Sequence, residues 1–548
     1  MPNSPSSRHV ANADRLAALG DAVAARSGGP RHVRKTRRSP KRIILLSLAG
    51  VVVLVVAAVA ADYFYLNSLV TRVNVPTEVQ TYNDTENILL VGSTTRCGLK
   101  HQNAAYGTCA QGVTGVNSDV VMVLHLNWTT NRVAILSIPR DLFVPNARTT
   151  GANKIDAALY QGPAQLVSAV QDDFGIPINH YIELNFDTFA SVVNVLGGIH
   201  MYFPMPVFDA YSGLNVRTTG CLHLNGYRAL QVVRARHLQY QPTGVGFSHT
   251  LWPQEGLSDL ARIRRDHEFL RVLSAAVKAR GIANPVTDQA LATAVAPYLT
   301  VDSAFSVSHM LNMAEHFHST PVAGVPQLTV PVVLVETGSY LYKGYYYGDV
   351  EFPIEPGISS VIDQFLGLTA STNTMDGKPL PSPSAVTVSV VNGTGVSRQA
   401  QVVAEGLHRY GFAISTLSSA TPWGKRTETV VYHVNDTAAS LAAAQAVLHT
   451  ISGPAVMARG PVTPGSQVTV VTGTDISVMR VPTRATTTTT VTKRHHGATT
   501  TTAPTTQVTV VDPTAVKRDT SLSAPTAVTQ ALQPWDPRSC GPHGKPGP

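Results

Sequence analysis

An uncharged apolar run near the start of the chain is the sequence feature that most constrains its fold and its placement relative to a membrane. The run extends from Ile43 to Ala61 and is rich in Val, Leu and Ala. One helix of this length crosses about 30 Å of hydrocarbon. A cleaved signal peptide usually has a shorter apolar core, and 42 residues is too long a stretch to precede one. We therefore expect a single N-terminal transmembrane helix, with the aromatic residues Tyr63, Phe64 and Tyr65 at its far interface.

The basic residues of the chain are concentrated in front of this run. The 548 residues carry a formal net charge of +8, but residues 1–42 alone hold ten Lys and Arg against two Asp. The remainder has 32 basic and 32 acidic residues and is neutral. Positive flanks stay in the cytoplasm and attract lipid headgroups. We predict a single-pass protein of the cell membrane with a cytoplasmic N-terminus, the bulk of the chain outside and no nucleic-acid partner.

The four cysteines agree with an oxidising exterior, because all of them follow the apolar run. They are Cys97, Cys109, Cys221 and Cys540. Four cysteines allow three pairings, and the sequence does not choose among them. We expect Cys97 to pair with Cys109 across the loop after the first strand. The sequence contains no Cys-x-x-Cys pair, so it does not indicate a zinc site built from cysteines.

Strand and helix patterns alternate after residue 82. Such alternation favours a sheet covered by helices on both faces, and a chain of this length can bury one large core. The predicted strands are 87–92, 119–126, 132–138 and 181–184, and the predicted helices are 163–174, 186–196 and 257–280.

Composition divides the rest of the chain. A linker of turn-forming residues precedes a second alternation of strands and helices, and a Thr-, Pro- and Ala-rich tail follows that cannot bury enough apolar surface to fold. The predicted boundaries are 1–42 for the basic tail, 43–61 for the transmembrane helix, 62–81 for a juxtamembrane spacer, 82–367 for the large domain, 368–384 for the linker, 385–476 for the small domain and 477–548 for a disordered tail.

Several arginines are predicted to meet at the end of the sheet. The strand before Pro139 stops abruptly and presents Arg140 and Asp141, since proline cannot continue a central ladder. Residues 232–237 are predicted to be extended, with Arg234 and Arg236 on one side. The planar guanidinium group matches phosphate oxygens in pairs, so converging arginines indicate a phosphate-containing ligand. The alternative is that each is an ordinary solvated surface charge.

A series of short motifs resembles the LytR-CpsA-Psr family over residues 82–367, and residues 385–476 resemble the LytR C-terminal domain of its actinobacterial members. The motifs occur in the family's order: Asn87-Ile-Leu-Leu-Val-Gly92, Asn117-Ser-Asp-Val120, Ser137-Ile-Pro-Arg-Asp141, Lys154-Ile-Asp-Ala157, Leu196-Gly-Gly-Ile199, Leu224-Asn-Gly-Tyr-Arg-Ala-Leu230, Val233-Arg-Ala-Arg-His237 and Asp259-x-x-Arg262-x-x-Arg265.

The resemblance implies a fold and an activity. The fold would be an α/β/α sandwich with a central mixed sheet, whose apolar interior holds a polyprenyl chain, followed by a small α/β C-terminal domain. The activity would be that of a phosphotransferase that moves a glycopolymer, possibly arabinogalactan, from a polyprenyl pyrophosphate carrier onto peptidoglycan, usually with Mg²⁺. The expected partners are therefore the lipid-linked glycopolymer, peptidoglycan and membrane lipid.

The same resemblance assigns residues to the site. The implied catalytic residues are Arg140, Asp141, Arg234 and Arg236; the implied pyrophosphate-binding residues are Arg140, Lys154, Arg234, Arg236, Arg262 and Arg265; the implied metal ligand is Asp119. Arg262 and Arg265 share a helix face and have a second interpretation, as partners of Asp259 or Glu268 in ion pairs along the helix. Asp141 has a structural alternative, the orientation of Arg140.

The chain departs from the family pattern at one position that bears on the metal. Thr94 stands where the family usually has an aspartate, which removes one expected carboxylate ligand. Two hypotheses compete with the transferase. Thr94 motivates a membrane-anchored binder that holds lipid-linked polymer without turnover, and the other hypothesis is a regulator that acts through the basic tail.

Overall fold

The computed structural model describes residues 64–78, 84–99, 102, 107–256, 258–279, 293, 295–321, 324–334, 340–420, 426–479, 531–541 and 544–547. The predicted basic tail, the predicted transmembrane helix and most of the Thr- and Pro-rich tail lie outside these residues. Among the helices that the structure does describe, none combines the length and apolar character needed to span a bilayer.

The described strands and α-helices lie between Thr71 and Ser539. The strands are β1 (Thr71–Val73), β2 (Thr85–Ser93), β3 (Ser118–Asn127), β4 (Arg132–Ile138), β5 (Phe143–Arg148), β6 (Gly151–Lys154), β7 (His180–Leu184), β8 (Ile199–Phe203), β9 (Val207–Asp209), β10 (Leu214–Val216), β11 (Gly220–Leu224), β12 (Gln239–Tyr240), β13 (Thr300–Asp302), β14 (Gln327–Thr329), β15 (Val332–Leu334), β16 (Leu341–Tyr342), β17 (Tyr345–Tyr346), β18 (Glu351–Glu355), β19 (Thr387–Asn392), β20 (Ala413–Ser419), β21 (Thr429–His433), β22 (Ile451–Arg459), β23 (Val468–Val471), β24 (Ser477–Val478) and β25 (Arg538–Ser539). The α-helices are α1 (Pro163–Phe174), α2 (Phe186–Val195), α3 (Gly226–Arg234), α4 (Ser258–Ala279), α5 (Val307–Phe317), α6 (Gly357–Leu366), α7 (Gln399–Tyr410) and α8 (Ala438–Leu448).

A seven-stranded mixed sheet forms the centre of the large domain, in the order β1-β13-β7-β2-β3-β4-β14. Its central strands are apolar on both faces, because side chains of β2 alternate between two separate cores. Leu89 and Val91 enter the core that α1 and α6 cover, whereas Ile88 and Leu90 enter the core that α5 covers. The predicted α/β fold with a mixed sheet and a C-terminal domain is confirmed.

The small domain shares a sheet with the large one. Its strands follow the order β15-β18-β22-β21-β23-β19-β20, so β15 and β18, which precede the predicted linker, extend the sheet of the following domain. The predicted linker packs closely at Thr374, whose buried backbone N–H donates to Gln445 of α8 at 3.3 Å. Main-chain pairing thus joins the two domains.

The end of the chain folds back onto the large domain. Cys97 pairs with Cys109, as expected, and Cys221 in β11 pairs with Cys540. Beside the second disulfide, β25 pairs with β8 and Trp535 stacks on Tyr240 with ring centroids 4.0 Å apart.

The prediction of disorder up to residue 548 is therefore wrong for residues 531–541. Composition was a poor guide there, because this short segment is held by a covalent bond and by buried ion pairs rather than by an apolar core of its own.

Candidate functional site

Three elements bring the predicted arginines together at one end of the central sheet. The predicted strand at 132–138 is β4 with the same bounds, and Arg140 follows it after Pro139. Asp119 is the second residue of the neighbouring strand β3. Arg234 ends α3, and Arg262 lies in the first turns of α4. The strand end, the two helix ends and the start of β3 therefore form one charged cluster.

Asp119 joins two of these arginines. Its Oδ1 accepts a hydrogen bond from Arg140 Nη1, and its Oδ2 accepts one from Arg234 Nη1 at 2.8 Å. The guanidinium group of Arg234 also lies over the ring of Phe186, 4.1 Å from its centroid. Burial disfavours ionisation of Asp119, but the charges of Arg234 and Arg140 outweigh it and lower its pKa to about 2.

Asp141 joins a second set of cations. Its Oδ2 accepts from Arg236 Nη2 at 2.5 Å, its Oδ1 accepts from Lys154 Nζ at 2.9 Å, and Arg140 Nε lies 3.6 Å from Oδ2. Burial raises the pKa of Asp141, and the charges of Arg140, Arg236 and Lys154 reverse that effect, so its pKa is lowered. Asp141 therefore holds three predicted site residues in place.

Asp259 completes the network from α4. Its Oδ1 pairs with Arg262 Nη2 at 2.8 Å, and Arg236 Nε lies 3.6 Å away. Its Oδ2 accepts from the backbone N–H of Arg140 at 3.1 Å. The ion pair between Asp259 and Arg262 is the alternative considered from the sequence, yet it coexists with a place for Arg262 in the cluster.

The prediction of an extended segment around Arg234 is wrong. Residues 226–234 form α3, which begins at Asn225, whose side chain accepts a hydrogen bond from the backbone N–H of Arg228 at 3.0 Å. The helix ends at Arg234, and Ala235 is extended with φ −67° and ψ 112°. The local Asn-Gly start thus overrides the β-branched residues Val232 and Val233.

Arg265 is the predicted site residue that the structure places away from the cluster. Its side chain is 1% exposed, and its guanidinium group donates to Glu255 and to the backbone carbonyl of Ala235. Asp536, from the end of the chain, lies 3.3 Å from the same group. Two buried carboxylates and a carbonyl draw Arg265 inward, so it holds the fold rather than facing a ligand.

Two cavities meet at the cluster. The arginine cleft has a cavity volume of about 430 Å³ and is lined by Thr94, Arg96, Val113, Gly115, Asn117, Asp119, Arg140, Tyr211, Arg234, Arg236, His237 and Arg262. The apolar cavity has a volume of about 180 Å³ and is lined by Leu90, Val91, Gly92, Ser93, Asp119, Val120, Met122, Ile182, Leu184, Asn185, Phe186, Phe189, Val192, Val193, Leu230, Val233, Arg234, Arg262, Asp266, Phe269, Leu270 and Leu273.

Both cavities share Asp119, Arg234 and Arg262. Lys154 lines neither cavity and contacts the cluster only by its hydrogen bond to Asp141. The apolar cavity therefore opens into the positively charged arginine cleft. This arrangement suits a molecule with a long apolar chain and an anionic group at one end.

Residues that the sequence reasoning did not assign also line these cavities. Arg96 lies one residue before Cys97, and burial followed by the charge of Arg234 lowers its pKa. Asp266 lines the apolar cavity, and burial raises its pKa to about 8 despite the opposing charges of Arg262 and Arg265. The predicted Cys97–Cys109 disulfide could have identified Arg96 as a site residue, because the disulfide fixes the loop that carries this side chain.

The cluster can offer a magnesium ion one carboxylate ligand from the protein. Asp119 is an ionised, hard oxygen ligand that lines both cavities, and each of its oxygens keeps a lone pair beyond its hydrogen bond to an arginine. Thr94 supplies no carboxylate, and its Oγ1 accepts from the backbone N–H of Asn117 at 2.8 Å. The residues present therefore suit an ion held by one protein carboxylate together with ligand phosphate oxygens, a common arrangement for Mg²⁺.

The chain was compared with known families and proteins. The LytR_cpsA_psr family matches residues 65–352, and a second family, described as LytR cell envelope-related transcriptional attenuator, matches residues 385–475. A relative from Corynebacterium glutamicum, named probable cell wall biosynthesis protein LcpB, is 30% identical over 57% of this chain and 69% of its own.

Two other proteins are also similar to parts of this chain. The polyisoprenyl-teichoic acid–peptidoglycan teichoic acid transferase TagV of Bacillus subtilis is 37% identical over 22% of this chain and 32% of its own. A solved structure described as a LytR-Csp2A-Psr enzyme from Actinomyces oris has a TM-score of 0.40 and 24% identity, covering 48% of this chain and 87% of that one.

Proposed function

We propose that this chain, which belongs to the LytR_cpsA_psr family, transfers a phosphorylated glycopolymer from a polyprenyl pyrophosphate carrier to peptidoglycan. The observation that carries the proposal is the junction of the apolar cavity with the arginine cleft at Asp119, Arg234 and Arg262. The name of TagV, a transferase that links a polyisoprenyl-borne polymer to peptidoglycan, supports the same class of reaction.

The shapes and charges of the two cavities suit the two parts of such a substrate. A polyprenyl chain is apolar and long, and the apolar cavity between α2, α3, α4 and the sheet offers it walls of Leu, Val and Phe. The pyrophosphate would then lie at the mouth, within reach of Arg140, Arg234 and Arg236. The sugar polymer would extend through the open arginine cleft towards the acceptor.

The proposed step is a phosphoryl transfer. A hydroxyl oxygen of peptidoglycan forms a bond to the phosphorus that carries the polymer, and the bond from that phosphorus to the bridging oxygen breaks. Polyprenyl phosphate leaves, and the hydroxyl proton passes to solvent. Positioning and charge neutralisation dominate catalysis of this kind of step, and Arg140, Arg234, Arg236 and Arg262 supply both.

Three carboxylates keep these cations aligned. Asp119, Asp141 and Asp259 each contact at least two cationic groups of the cluster. They fix the guanidinium groups before the ligand arrives, so less side-chain freedom is lost on binding. Asp141 is in this scheme a positioning residue, with Lys154 behind it as a point charge. Asp119 would hold Mg²⁺, which when bound supplies further neutralisation of phosphate charge.

The polymer and the location complete the proposal. Arabinogalactan is the first candidate polymer, because the C-terminal domain resembles that of actinobacterial members. The active face would lie outside a cell membrane that residues 43–61 cross. The acceptor would be peptidoglycan, and neither domain is assigned a nucleic-acid partner.

The direct test uses the purified full-length chain in detergent or vesicles with a lipid-linked polymer and peptidoglycan, with and without Mg²⁺. We expect polymer to become covalently attached to peptidoglycan and polyprenyl phosphate to be released in equal amount. Teichoic acid on the same type of carrier serves as the comparison polymer. Attachment of neither polymer would contradict the proposal.

Thr94 motivates the competing function, a binder that holds lipid-linked polymer without turnover. The same experiment separates the two, because a binder retains the labelled lipid on the protein while no attachment occurs at any Mg²⁺ concentration. Substitution Thr94→Asp restores the missing carboxylate, and attachment gained only in that variant would favour the binder.

A further inference from the structure

A second group of metal-type side chains lies at the other end of strand β2. Glu86, His180 and His309 place one ligand atom each so that all three atoms lie within 4.8 Å of one another. Glu86 and Gly92 are six residues apart on β2, a distance of about 20 Å along a strand. The group is therefore separate from the arginine cleft, and the proposed transfer makes no use of it.

The fold itself brings the three residues together. Strands β2 and β7 run parallel with Ile88 opposite His180, and Glu86 shares the face of Ile88. Helix α5 covers this face, and His309 lies in its first turn. The side chain of Ser306 caps the helix by accepting a hydrogen bond from the backbone N–H of His309 at 3.1 Å.

His180 is oriented as a metal ligand usually is. Its Nδ1 lies 3.1 Å from Asp302 Oδ2, so the tautomer that donates to this carboxylate leaves Nε2 as the nitrogen with a lone pair. The carboxyl group of Asp302 is itself anchored, because it accepts backbone hydrogen bonds from Tyr181, Ala304 and Phe305 at 2.9–3.0 Å. A carboxylate behind the histidine is a recurrent feature of protein metal sites.

Packing fixes the same ring. Phe305 stacks on His180 with centroids 4.1 Å apart and planes inclined by 12°. The second imidazole, His309, lies with its centroid 5.4 Å from that of His180, and its Nε2 is 3.0 Å from Glu86 Oε2. An ion pair or hydrogen bond between Glu86 and His309 accounts for two of the three groups, but it does not account for an adjacent, pre-oriented second imidazole.

We propose that Glu86, His180 and His309 form a site for Zn²⁺ or a similar divalent transition metal. Two imidazoles and one carboxylate match its ligand preference, and metal–ligand lengths of about 2.0–2.2 Å require the ligand atoms to lie about 3.3 Å apart. The separation of 3.0 Å between Glu86 and His309 already approaches this value. Small rotations of two side chains would bring the third atom into range.

The burial of the three groups indicates the kind of site. The side chain of Glu86 is 12% exposed, whereas that of His309 is 31% exposed. Solvent can therefore provide a fourth ligand from the side of α5. The ion would tie β2, β7 and α5 together, in the layer where Leu66 and Val70 from the juxtamembrane segment also pack.

Titration of the metal-stripped full-length chain with Zn²⁺ tests this site, with Co²⁺ as the spectroscopic probe. The preparation carries no polyhistidine tag. We expect one Zn²⁺ per chain by calorimetry, a rise in the unfolding temperature, and visible Co²⁺ absorption typical of low coordination number. His180→Gln and His309→Gln should each weaken binding at least 100-fold.

The matched control is His316→Gln, because His316 lies on the same helix, its Nε2 donates to the backbone carbonyl of Trp128 at 3.1 Å, and it is not among the three ligands. This variant should bind the ion as the wild type does. Glu86→Gln preserves shape and should also lose the ion, which separates ligand loss from misfolding when far-ultraviolet circular dichroism is unchanged. Binding that persists in both histidine variants, or an absence of stoichiometric binding in the wild type, would overturn the proposal.

Discussion

The neighbouring carboxylates decide what each arginine of this chain does. Arg140, Arg234 and Arg236 pair with Asp119 and Asp141, and their side chains are 14–21% exposed. Arg265 meets Glu255 and is almost completely buried. The four residues have the same chemistry, and the position of their acids leaves three of them lining the arginine cleft and Arg265 buried.

The substitution Arg265→Met should therefore affect folding rather than the site. The substitution removes a positive charge that pairs with the buried carboxylates of Glu255 and Asp536. The expected loss of unfolding free energy is about 3–5 kcal/mol. Circular dichroism during denaturant unfolding measures it, with the exposed Arg228→Ala as control. An unchanged stability together with lost polymer transfer would place Arg265 in the site instead.

Asp266 should make the stability of the protein depend on pH. Burial raises its pKa to about 8 in the folded state, whereas an unfolded aspartate has a pKa of about 3.9. The folded protein thus retains a proton that the unfolded chain releases, so the contribution is fully present below about pH 4 and is lost as the pH rises towards 8.

Asp266→Asn removes this titration. The variant should show a smaller fall of the unfolding temperature between about pH 5 and pH 8 than the wild type shows, as measured by scanning calorimetry. Parallel curves for the two proteins across this range would mean that Asp266 is ionised when folded.

Among the elements, α3 links the fold to the site. It carries Leu230 and Val233 into the apolar cavity and ends at Arg234. Its first residue, Gly226, lies against α2, where an added Cβ would meet the backbone carbonyl oxygen of Ala190 at 2.0 Å. The position of Arg234 therefore depends on a contact at the opposite end of its helix.

Gly226→Ala should push α3 away from α2. We expect a lower unfolding temperature and a loss of polymer transfer of at least tenfold, because Arg234 at the helix end is displaced from Asp119. Thermal unfolding and the attachment assay measure the two effects. Arg228→Ala, an exposed change in the same helix, should alter neither, and wild-type behaviour of Gly226→Ala would show that the contact between the helices yields easily.

The elements also show where sequence reasoning succeeds. β4 and α1 have the predicted bounds, because strict apolar patterns and clear start or stop residues fix them locally. The segment before Arg236 was misread because Val232 and Val233 favour a strand, and only the preceding Asn225 cap decides for a helix.

The sequence also predicted most, but not all, of the residues at the arginine cluster. The motifs that resemble a known family located Arg140, Arg234, Arg236, Arg262 and Asp119, which do line the arginine cleft. No local pattern predicted the burial of Arg265, because its partner Asp536 is 271 residues away. Neither did one predict the group around His180, whose members come from three distant segments.

At the scale of the whole molecule, the described C-terminal segment 531–541 is tied back to the large domain. The Cys221–Cys540 disulfide spans 319 residues, and Asp536 beside it accepts a hydrogen bond from Arg264 Nε at 2.6 Å. This segment lies against α4, the helix that supplies Arg262 to both cavities. Its attachment therefore supports a wall of the site from outside.

Replacing Cys221 and Cys540 together by serine should release this support. A disulfide typically contributes about 2–4 kcal/mol, so we expect a clearly lower unfolding temperature under non-reducing conditions. Cys97→Ser with Cys109→Ser is the comparison, since it loosens the loop that carries Arg96 and should reduce transfer more than stability. Equal effects of the two double variants on both properties would contradict this division.

The central claim is that the arginine cleft holds a lipid-linked pyrophosphate during transfer to peptidoglycan. The most direct measurement compares attachment of labelled polymer by the wild type, Arg140→Ala, Arg236→Ala and the control Arg228→Ala, each verified as folded by circular dichroism. The account predicts attachment by the wild type and the control, and its loss in both cleft variants. Attachment retained in both Arg140→Ala and Arg236→Ala would contradict it.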